Sequence, residues 1–203
     1  MKANGESSLR KRILDTSRDL LVEVGYRQIS MRKIARKVGV SATSIYLHFE
    51  SKDHLLHTLM EEAIEDLNST LEQSITGSED PIEQLRAFAR AYINYAMENP
   101  RQYQIIFLVR SEEMSRYPKE KFRRARRGYE MLEQTIAEGA QKGLLQEESP
   151  RTAAYVIWAE LHGVMSVVQS RRLDVRIDRE QFFESAIEKI IGGLKVPTAT
   201  DSK

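Results

Sequence analysis

The chain has 203 residues, and its 31 Lys and Arg nearly balance 30 Asp and Glu, so the net charge is +1. A content of 41% hydrophobic and 30% charged residues is typical of a soluble globular protein, here long enough for a small head and a larger body. Having no cysteine excludes disulfides, thiolate metal sites and cysteine nucleophiles. No apolar run approaches the roughly 20 residues that span a bilayer. The segment MKANGESSLRKR also lacks the apolar core of a signal peptide, so we expect a cytoplasmic protein with no membrane partner.

The charge is unevenly distributed along the chain. Residues 1–53 hold 11 Lys and Arg against 6 Asp and Glu, which leaves 20 against 24 for the remainder. The first part is therefore basic and the second acidic. Such asymmetry favours a polyanion as the partner of the head, although a solvated basic face is the alternative.

Apolar residues recur with helical spacing throughout, which predicts an all-α fold. The first helix is predicted over residues 8–24 and ends at Gly25 in a left-handed conformation. Its buried face is Leu9, Ile13, Ser17, Leu20 and Val24. Ser30 and Ser41 are predicted to cap two short helices, with Ile34, Ala35 and Val38 buried in the first of them and Gly39 between them.

Ser51 is predicted to cap a long fourth helix over residues 52–74, whose buried stripe is Leu55, Leu56, Leu59, Ala63 and Leu67. Further helices are predicted over 81–98, 100–110, 119–142, 150–171 and 178–193, separated by proline and glycine. The predicted organisation is a three-helix head over 1–53, a helical body over 54–194 that the fourth helix joins to the head, and a disordered tail over 195–203.

The stretch GVSATSIYLHF, residues 39–49, places polar and aromatic side chains opposite a buried face. Because Ile45 and Phe49 lie one helical turn apart, they share the buried side. Two short helices joined by a glycine-containing turn, in the basic part of the chain, match a helix-turn-helix. The exposed side then offers hydroxyls, an imidazole and a leucine, which are suited to base edges, phosphates and thymine methyl groups.

The segment SMRKIARKVGVSATSIYLHFESKDHLL resembles the N-terminal signature of the TetR family of transcriptional regulators, over about residues 9–60. The matching features are Ile34-Ala35, Gly39-Val40-Ser41, the Tyr46 and Phe49 pair, and Ser51-Lys52. Ala42 departs from the glycine common in the family. Since alanine is the better helix former, we expect this departure to change sequence preference and not the fold.

The resemblance implies a set of residues that face double-stranded DNA. These are Ser30, Arg32, Ser41, Ala42, Thr43, Ser44, Tyr46, Leu47, His48 and Lys52. Tyr46 is expected chiefly on phosphate. Lys52 is expected to clamp a phosphate at the start of the fourth helix, with Ser30 and Arg32 in a similar role on the second helix.

Two other clusters of polar residues have both a functional and a plainer interpretation. His54, His57 and Glu61 share one helical face and offer three metal ligands. Because leucines occupy the buried side of that helix, we predict no metal site. The basic run over 119–127, with Lys121, Arg123, Arg124, Arg126 and Arg127, suits an anionic ligand or extra DNA, while a solvated, ion-paired face is the alternative. No nucleotide-binding loop, serine elbow or carboxylate pair stands out, so no catalytic residue and no cofactor is predicted.

The segment WAELHGVMSV, residues 158–167, resembles a Trp-His-Gly element in the C-terminal domains of one subset of TetR regulators. The resemblance implies a helix that takes part in dimerisation and borders a ligand cavity. Candidate ligand residues are Tyr92, Tyr95, Tyr103, Phe107, Met131, Trp158 and His162, all of which core packing would explain equally well. Candidate residues of a four-helix dimer interface are Leu161, Val164, Val168, Phe183, Ile187 and Ile190.

The functional hypothesis is a homodimeric, ligand-responsive DNA-binding repressor with no enzymatic activity. It would bind a palindromic operator and be released by a small-molecule effector, which we expect to be lipophilic. Two alternatives remain at this point. One is a non-specific architectural nucleic-acid-binding protein without an effector, and the other is a small-molecule-binding or enzymatic helical protein with a vestigial DNA-binding head.

Overall fold

The computed structural model describes residues 2–107 and 125–196, with side chains from residue 8 onward. The described residues form nine helices, which confirms the predicted all-α class. The helices are α1 Lys2–Gln28, α2 Met31–Val38, α3 Ala42–Tyr46, α4 Lys52–Ile75, α5 Pro81–Glu98, α6 Pro100–Phe107, α7 Arg127–Gln141, α8 Pro150–Gln169 and α9 Arg179–Gly192. None of them combines the length and the apolar character needed to cross a bilayer.

Most helix boundaries agree with the sequence pattern within a few residues, and α1 differs most. It begins six residues earlier than predicted, at Lys2, and extends to Gln28. The predicted end at Gly25 is a kink: its φ of 74° is positive, but its ψ of 170° is not that of a left-handed cap. The chain therefore turns at Gly25 and resumes helical geometry. Predicted helical residues 108–110 and 119–124 lie outside the described part of the chain.

The chain divides into two compact units, whose limits differ from the predicted boundary at residues 53 and 54. The first unit contains Met1–Asp66 and, among later described residues, 99–107. Its core gathers apolar side chains of α1 to α4, and Ile105 of α6 joins them. Helix α6 packs on α1, where Arg101 pairs with Asp19. Helix α6, although distant in sequence, thus belongs to the first unit, because its apolar side is buried there.

The second unit contains the end of α4 from Leu67, α5, and α7 to α9. Helix α8 packs against α7, α9 and α5. Two bidentate ion pairs join α5 to α9: Arg86 with Glu188, and Arg90 with Glu184. Hydrogen bonds from the guanidinium groups hold the pKa of both carboxyls below the ordinary range.

The predicted disordered tail begins too early, at residue 195. Lys195 forms an isolated antiparallel bridge with Leu145, and the Gln146 N–H donates to the Leu194 carbonyl at 2.8 Å. These bonds attach the end of α9 to the turn after α7, so Lys195 is held by backbone pairing. Residues 197–203 lie outside the described part of the chain.

Gly139 marks a close approach of two segments within the second unit. A Cβ added there would lie 2.5 Å from Leu145 Cδ1, 2.8 Å from Leu145 Cγ and 3.3 Å from Pro81 Cβ. Glycine is required at this position because α7 passes directly over the leucine that follows it. The bridge at Leu145 fixes its backbone, so only a change of the leucine side chain could relieve the contact.

We expect Gly139→Ala to destabilise the protein by about 1–2 kcal/mol, because overpacking outweighs the better helix propensity of alanine. Urea unfolding followed by circular dichroism measures the change. Gln141→Ala on the exposed face of the same helix is the control and should stay within about 0.5 kcal/mol of the parent. Equal stability of Gly139→Ala and the parent would contradict the close packing.

Candidate nucleic-acid interface

The two short helices are formed by local capping, as the sequence predicts. Ser30 Oγ accepts a hydrogen bond from the Lys33 N–H at 3.2 Å, and Ser41 Oγ accepts one from the Ser44 N–H at 3.1 Å. Gly39, with φ 81° and ψ 36°, ends α2 in the left-handed conformation. These caps set the turn between α2 and α3, and the turn directs α3 away from the axis of α2.

One side of α3 is anchored in the core of the first unit. Ile45 is 0% exposed and Phe49 is 1% exposed, and both belong to the same apolar cluster as Ile34 and Leu55. The guanidinium of Arg10 lies over the Phe49 ring, 5.4 Å from its centre. Burial of both predicted residues fixes the rotation of α3 about its axis.

The opposite side of α3 faces solvent. Leu47 is 81% exposed and Tyr46 is 53% exposed, and Ser41 and Thr43 are also exposed. Together, Tyr46 and Leu47 give this side of α3 an exposed aromatic and aliphatic surface. These side chains are exposed, and their contact with bases stays a prediction.

The remaining candidates on this segment are less accessible. Ala42, Ser44 and His48 are half-buried. The Ser44 hydroxyl also lies 2.8 Å from the Ser41 hydroxyl, so the two form a hydrogen bond with each other. Contact of Ser44 with DNA would require this bond to be exchanged or shared.

Three predicted phosphate contacts lie on α2 and at the start of α4. Arg32 is exposed, whereas Ser30 is half-buried and uses its hydroxyl as the cap of α2. Lys52 is held within the protein: its Nζ donates to the Tyr26 carbonyl at 3.2 Å and lies 3.7 Å from the centre of the Tyr26 ring. The ammonium has three N–H donors, so this contact leaves it able to bind a phosphate.

Sequence reasoning did not identify three residues that support this surface. The Tyr26 hydroxyl donates to Asp53 Oδ1 at 2.7 Å, next to Lys52 in the first turn of α4. Arg12 donates to the Val38 carbonyl at 2.7 Å, at the end of α2. The only sequence signal of the Tyr26–Asp53 contact is a tyrosine directly after the glycine at the kink. The Arg12 contact leaves no signal in the sequence, because its acceptor is a backbone carbonyl.

The histidines weighed as metal ligands have other surroundings. His54 Nδ1 accepts a hydrogen bond from the Glu50 N–H at 3.3 Å, and its ring meets the edge of Phe49. His57 is buried at 5% exposure. Both side chains contribute to the packing at the junction of α3 and α4.

The candidate ligand residues are divided between the two units. Tyr103 and Phe107, whose ring centres lie 4.8 Å apart, belong to the first unit. Tyr92, Tyr95, Met131, Trp158 and His162 belong to the second, where Tyr92 and Tyr95 are buried and the other three are half-buried. The second unit brings Trp158 and His162 into a parallel stack with ring centres 5.2 Å apart.

Two tyrosines that were not predicted extend this aromatic group. Tyr129 of α7 stacks on Tyr155 at 4.5 Å and lies 5.4 Å from Trp158. Burial raises the pKa of the Tyr129 hydroxyl well above its ordinary value, so it stays protonated at neutral pH. The group therefore presents a mostly aromatic surface.

Most of the basic run over 119–127 falls outside the described residues. Among its described members, Arg127 pairs with Glu72 at 3.4 Å, and Arg126 is exposed. The pairing of Arg127 agrees with the plainer alternative, an ion-paired solvated face.

The candidate dimer residues fall into two classes. Leu161, Phe183 and Ile187 are buried within the chain, so they leave little surface to a partner, whereas Val164, Val168 and Ile190 are half-buried.

A different part of α8 is exposed and apolar, with Tyr155, Val156 and Val167, and Gly163 between them has no side chain. Beside it, a groove of about 280 Å³ between α8 and α9 is lined by residues that include Val156, Glu160, Lys189 and Ile190.

Two family models match the chain. One, described as bacterial regulatory proteins of the tetR family, matches residues 13–59. The other, described as a tetracyclin repressor-like C-terminal domain, matches residues 85–190, slightly more than half of the chain. The first includes α2, α3 and the start of α4, and the second includes most of the second unit.

Similar proteins have been named as regulators. The HTH-type transcriptional activator FasR of Mycolicibacterium smegmatis is 29% identical over 98 residues, which is 48% of this chain and 45% of that protein. The chain thus matches about half the length of such curated relatives. The fatty acid metabolism regulator protein of Bacillus subtilis is 22% identical over 184 residues, 90% of this chain and 93% of that protein. The structure of AibR in complex with isovaleryl coenzyme A and operator DNA covers 89% of this chain and 97% of its own, at 21% identity and a TM-score of 0.74.

Proposed function

Since this chain belongs to the TetR family of bacterial regulatory proteins, we propose that it is a homodimeric repressor that binds a palindromic operator and is released by a small-molecule effector. As a regulator of bacterial transcription, it would act in the cytoplasm, where the DNA is. The family consists of transcriptional regulators, which agrees with the prediction that the protein is not an enzyme.

The observation that carries the proposal is the two-sided character of α3. Ile45 and Phe49 hold the helix in the core, and Thr43, Tyr46 and Leu47 project from the opposite side. A helix-turn-helix reads DNA with such an exposed face in the major groove. In this proposal Thr43 and Leu47 contact base edges, whereas Tyr46 and Lys52 contact phosphates.

The operator and these roles are tested together by selecting bound duplexes from a random DNA pool at near-physiological salt. We expect a two-fold-symmetric site, because the symmetry of a dimer is mirrored in its operator. Tyr46→Ala and Lys52→Ala should weaken binding to every duplex, and each lost phosphate contact should reduce the salt slope by about one. Thr43→Ala and Leu47→Ala should instead change which bases are selected.

The control is Arg179→Ala, an exposed residue of α9 in the second unit, which should leave affinity and salt slope unchanged. Recovery of duplexes without a common sequence would favour the architectural alternative. Failure of the folded parent to bind any duplex would favour the vestigial head.

The exposed stripe on α8 supports the homodimer. In an isolated chain, Val156 and Val167 expose apolar area beside the groove between α8 and α9. A Cβ added at Gly163 meets nothing within 4 Å inside the chain, so the helix backbone there is open to close approach. We propose that α8 and α9 of a second copy cover this face.

Gly163→Gln is expected to raise the dissociation constant of the dimer about tenfold or more, because the added side chain fills the space of the partner helix. Since that space is empty within one chain, folding should be retained. Sedimentation over a concentration series measures the constant. Asn94→Gln on the exposed side of α5 is the control, and an unchanged dimer in both variants would place the interface elsewhere.

The effector is proposed to be a lipophilic acyl thioester. Support comes from AibR, solved with isovaleryl coenzyme A, and from the similarity to a fatty acid metabolism regulator. Aromatic surface around Tyr129, Trp158 and His162 suits an apolar acyl chain.

We expect acyl-coenzyme A thioesters to release the selected duplex, with free coenzyme A as the control. Release requires tighter binding to the form that does not bind DNA, so the thioester should bind the DNA-free protein more tightly by the same factor. Fluorescence anisotropy of a labelled duplex, titrated with acyl chains of increasing length, measures the effect. No release at any chain length would contradict this effector class.

A further inference from the structure

Tyr26 lies at the junction between the end of α1 and the start of α4. The kink at Gly25 turns the chain so that Tyr26 is 7% exposed and packed with the core of the first unit. From this position it reaches two consecutive residues of α4. Its carbonyl and ring contact Lys52, and its hydroxyl contacts Asp53.

The contact with Lys52 has two components that hold the ammonium in place. Nζ donates to the Tyr26 carbonyl at 3.2 Å and lies 3.7 Å from the ring centre, well within the range of cation–π attraction. A lysine side chain is otherwise a flexible four-carbon stem that loses much rotamer freedom when it binds a fixed partner. Here that freedom is reduced before any partner arrives.

The contact with Asp53 orients the carboxylate of the residue that follows Lys52. The Tyr26 hydroxyl donates to Asp53 Oδ1 at 2.7 Å, which holds the carboxylate against the protein. Asp53 lies in the first turn of α4, where the helix dipole favours a carboxylate. The hydroxyl of Tyr26 therefore fixes the direction of this carboxylate in the first turn of α4.

We propose that Tyr26 is a positioning residue for DNA binding, because it places the Lys52 ammonium at the start of α4 for a phosphate and restrains Asp53. This inference rests on the proposed DNA-binding function. Tyr26 itself need not touch DNA, since it acts through the residue that its ring and carbonyl hold.

A double-mutant cycle on a selected duplex tests the proposal. Tyr26→Leu removes the ring and hydroxyl and should weaken binding about threefold to tenfold, the cost of immobilising one long side chain. In the Lys52→Ala background the same substitution should change affinity less than twofold, because the positioned group is absent. Equal losses in both backgrounds would overturn the proposal and assign Tyr26 a purely structural role.

Two further variants separate positioning from core damage. Ile29→Ala removes a neighbouring buried side chain of the same core, so any loss it causes should be the same with and without Lys52. Tyr26→Phe keeps the ring and carbonyl but not the hydroxyl. It should retain most of the coupling to Lys52, and complete loss of coupling in this variant would overturn the role of the ring.

A measurement without DNA distinguishes failure of this inference from failure of the proposed function. In protein labelled with ¹³C-lysine, the Lys52 Cε protons should resonate upfield of other lysines, because the ammonium lies over an aromatic ring. Tyr26→Leu should abolish the shift, and Tyr26→Phe should preserve it. An unshifted Lys52 signal would overturn the inference even if the protein binds DNA. A shifted signal in a folded protein that binds no duplex would instead refute the proposed function, and with it the role in DNA binding.

Discussion

The burial of Ile45 and Phe49 is the constraint on which the proposed DNA-binding surface depends. These two side chains, one helical turn apart, lock a helix of only five residues, Ala42–Tyr46, into the core of the first unit. So short a helix has almost no stability of its own, so tertiary packing must supply both its existence and its rotation. Every exposed group on α3 takes its direction from this anchor.

Contacts outside the helix-turn-helix complete that anchor. Arg10 lies over Phe49, Arg12 bonds the last carbonyl of α2, and His54 accepts a bond from the backbone of Glu50. Each contact links α1 or α4 to one of the short helices or to the turn that follows them. The proposed base-reading face is therefore held by its neighbours on both sides, which would reduce the ordering cost of binding.

In the second unit, ion pairs and close helix packing hold the helices together. Arginine and glutamate pairs align α5 with α9, and α7 passes so closely over Leu145 that only glycine fits at position 139. The outside of α8 carries exposed Tyr155, Val156 and Val167, and at Gly163 it has no side chain. The internal faces of α8 and α9 are already used by Leu161, Phe183 and Ile187, so the proposed dimer depends on the outer face.

The amino-acid sequence by itself determined the helical class, the caps at Ser30, Ser41 and Ser51, and the buried stripe of α4. These features are local, because a serine hydroxyl reaches its own helix and apolar spacing follows the helical period. Helical spacing, which is also local, correctly predicts that Ile45 and Phe49 are buried and that Leu47 is exposed. The early start of α1 and the pairing of Lys195 were missed because the first few residues and the end of the chain carry little apolar pattern.

Only the tertiary structure decided which distant residues meet. It placed α6 in the first unit, brought Tyr26 to Lys52 and Asp53, stacked Tyr129 on Tyr155, and buried three residues that had been candidates for a dimer interface. An apolar residue at helical spacing shows that some surface is buried, but not whether its partner lies in the same chain or in another. That distinction depends on how the helices pack, and spacing along one helix contains no information about it.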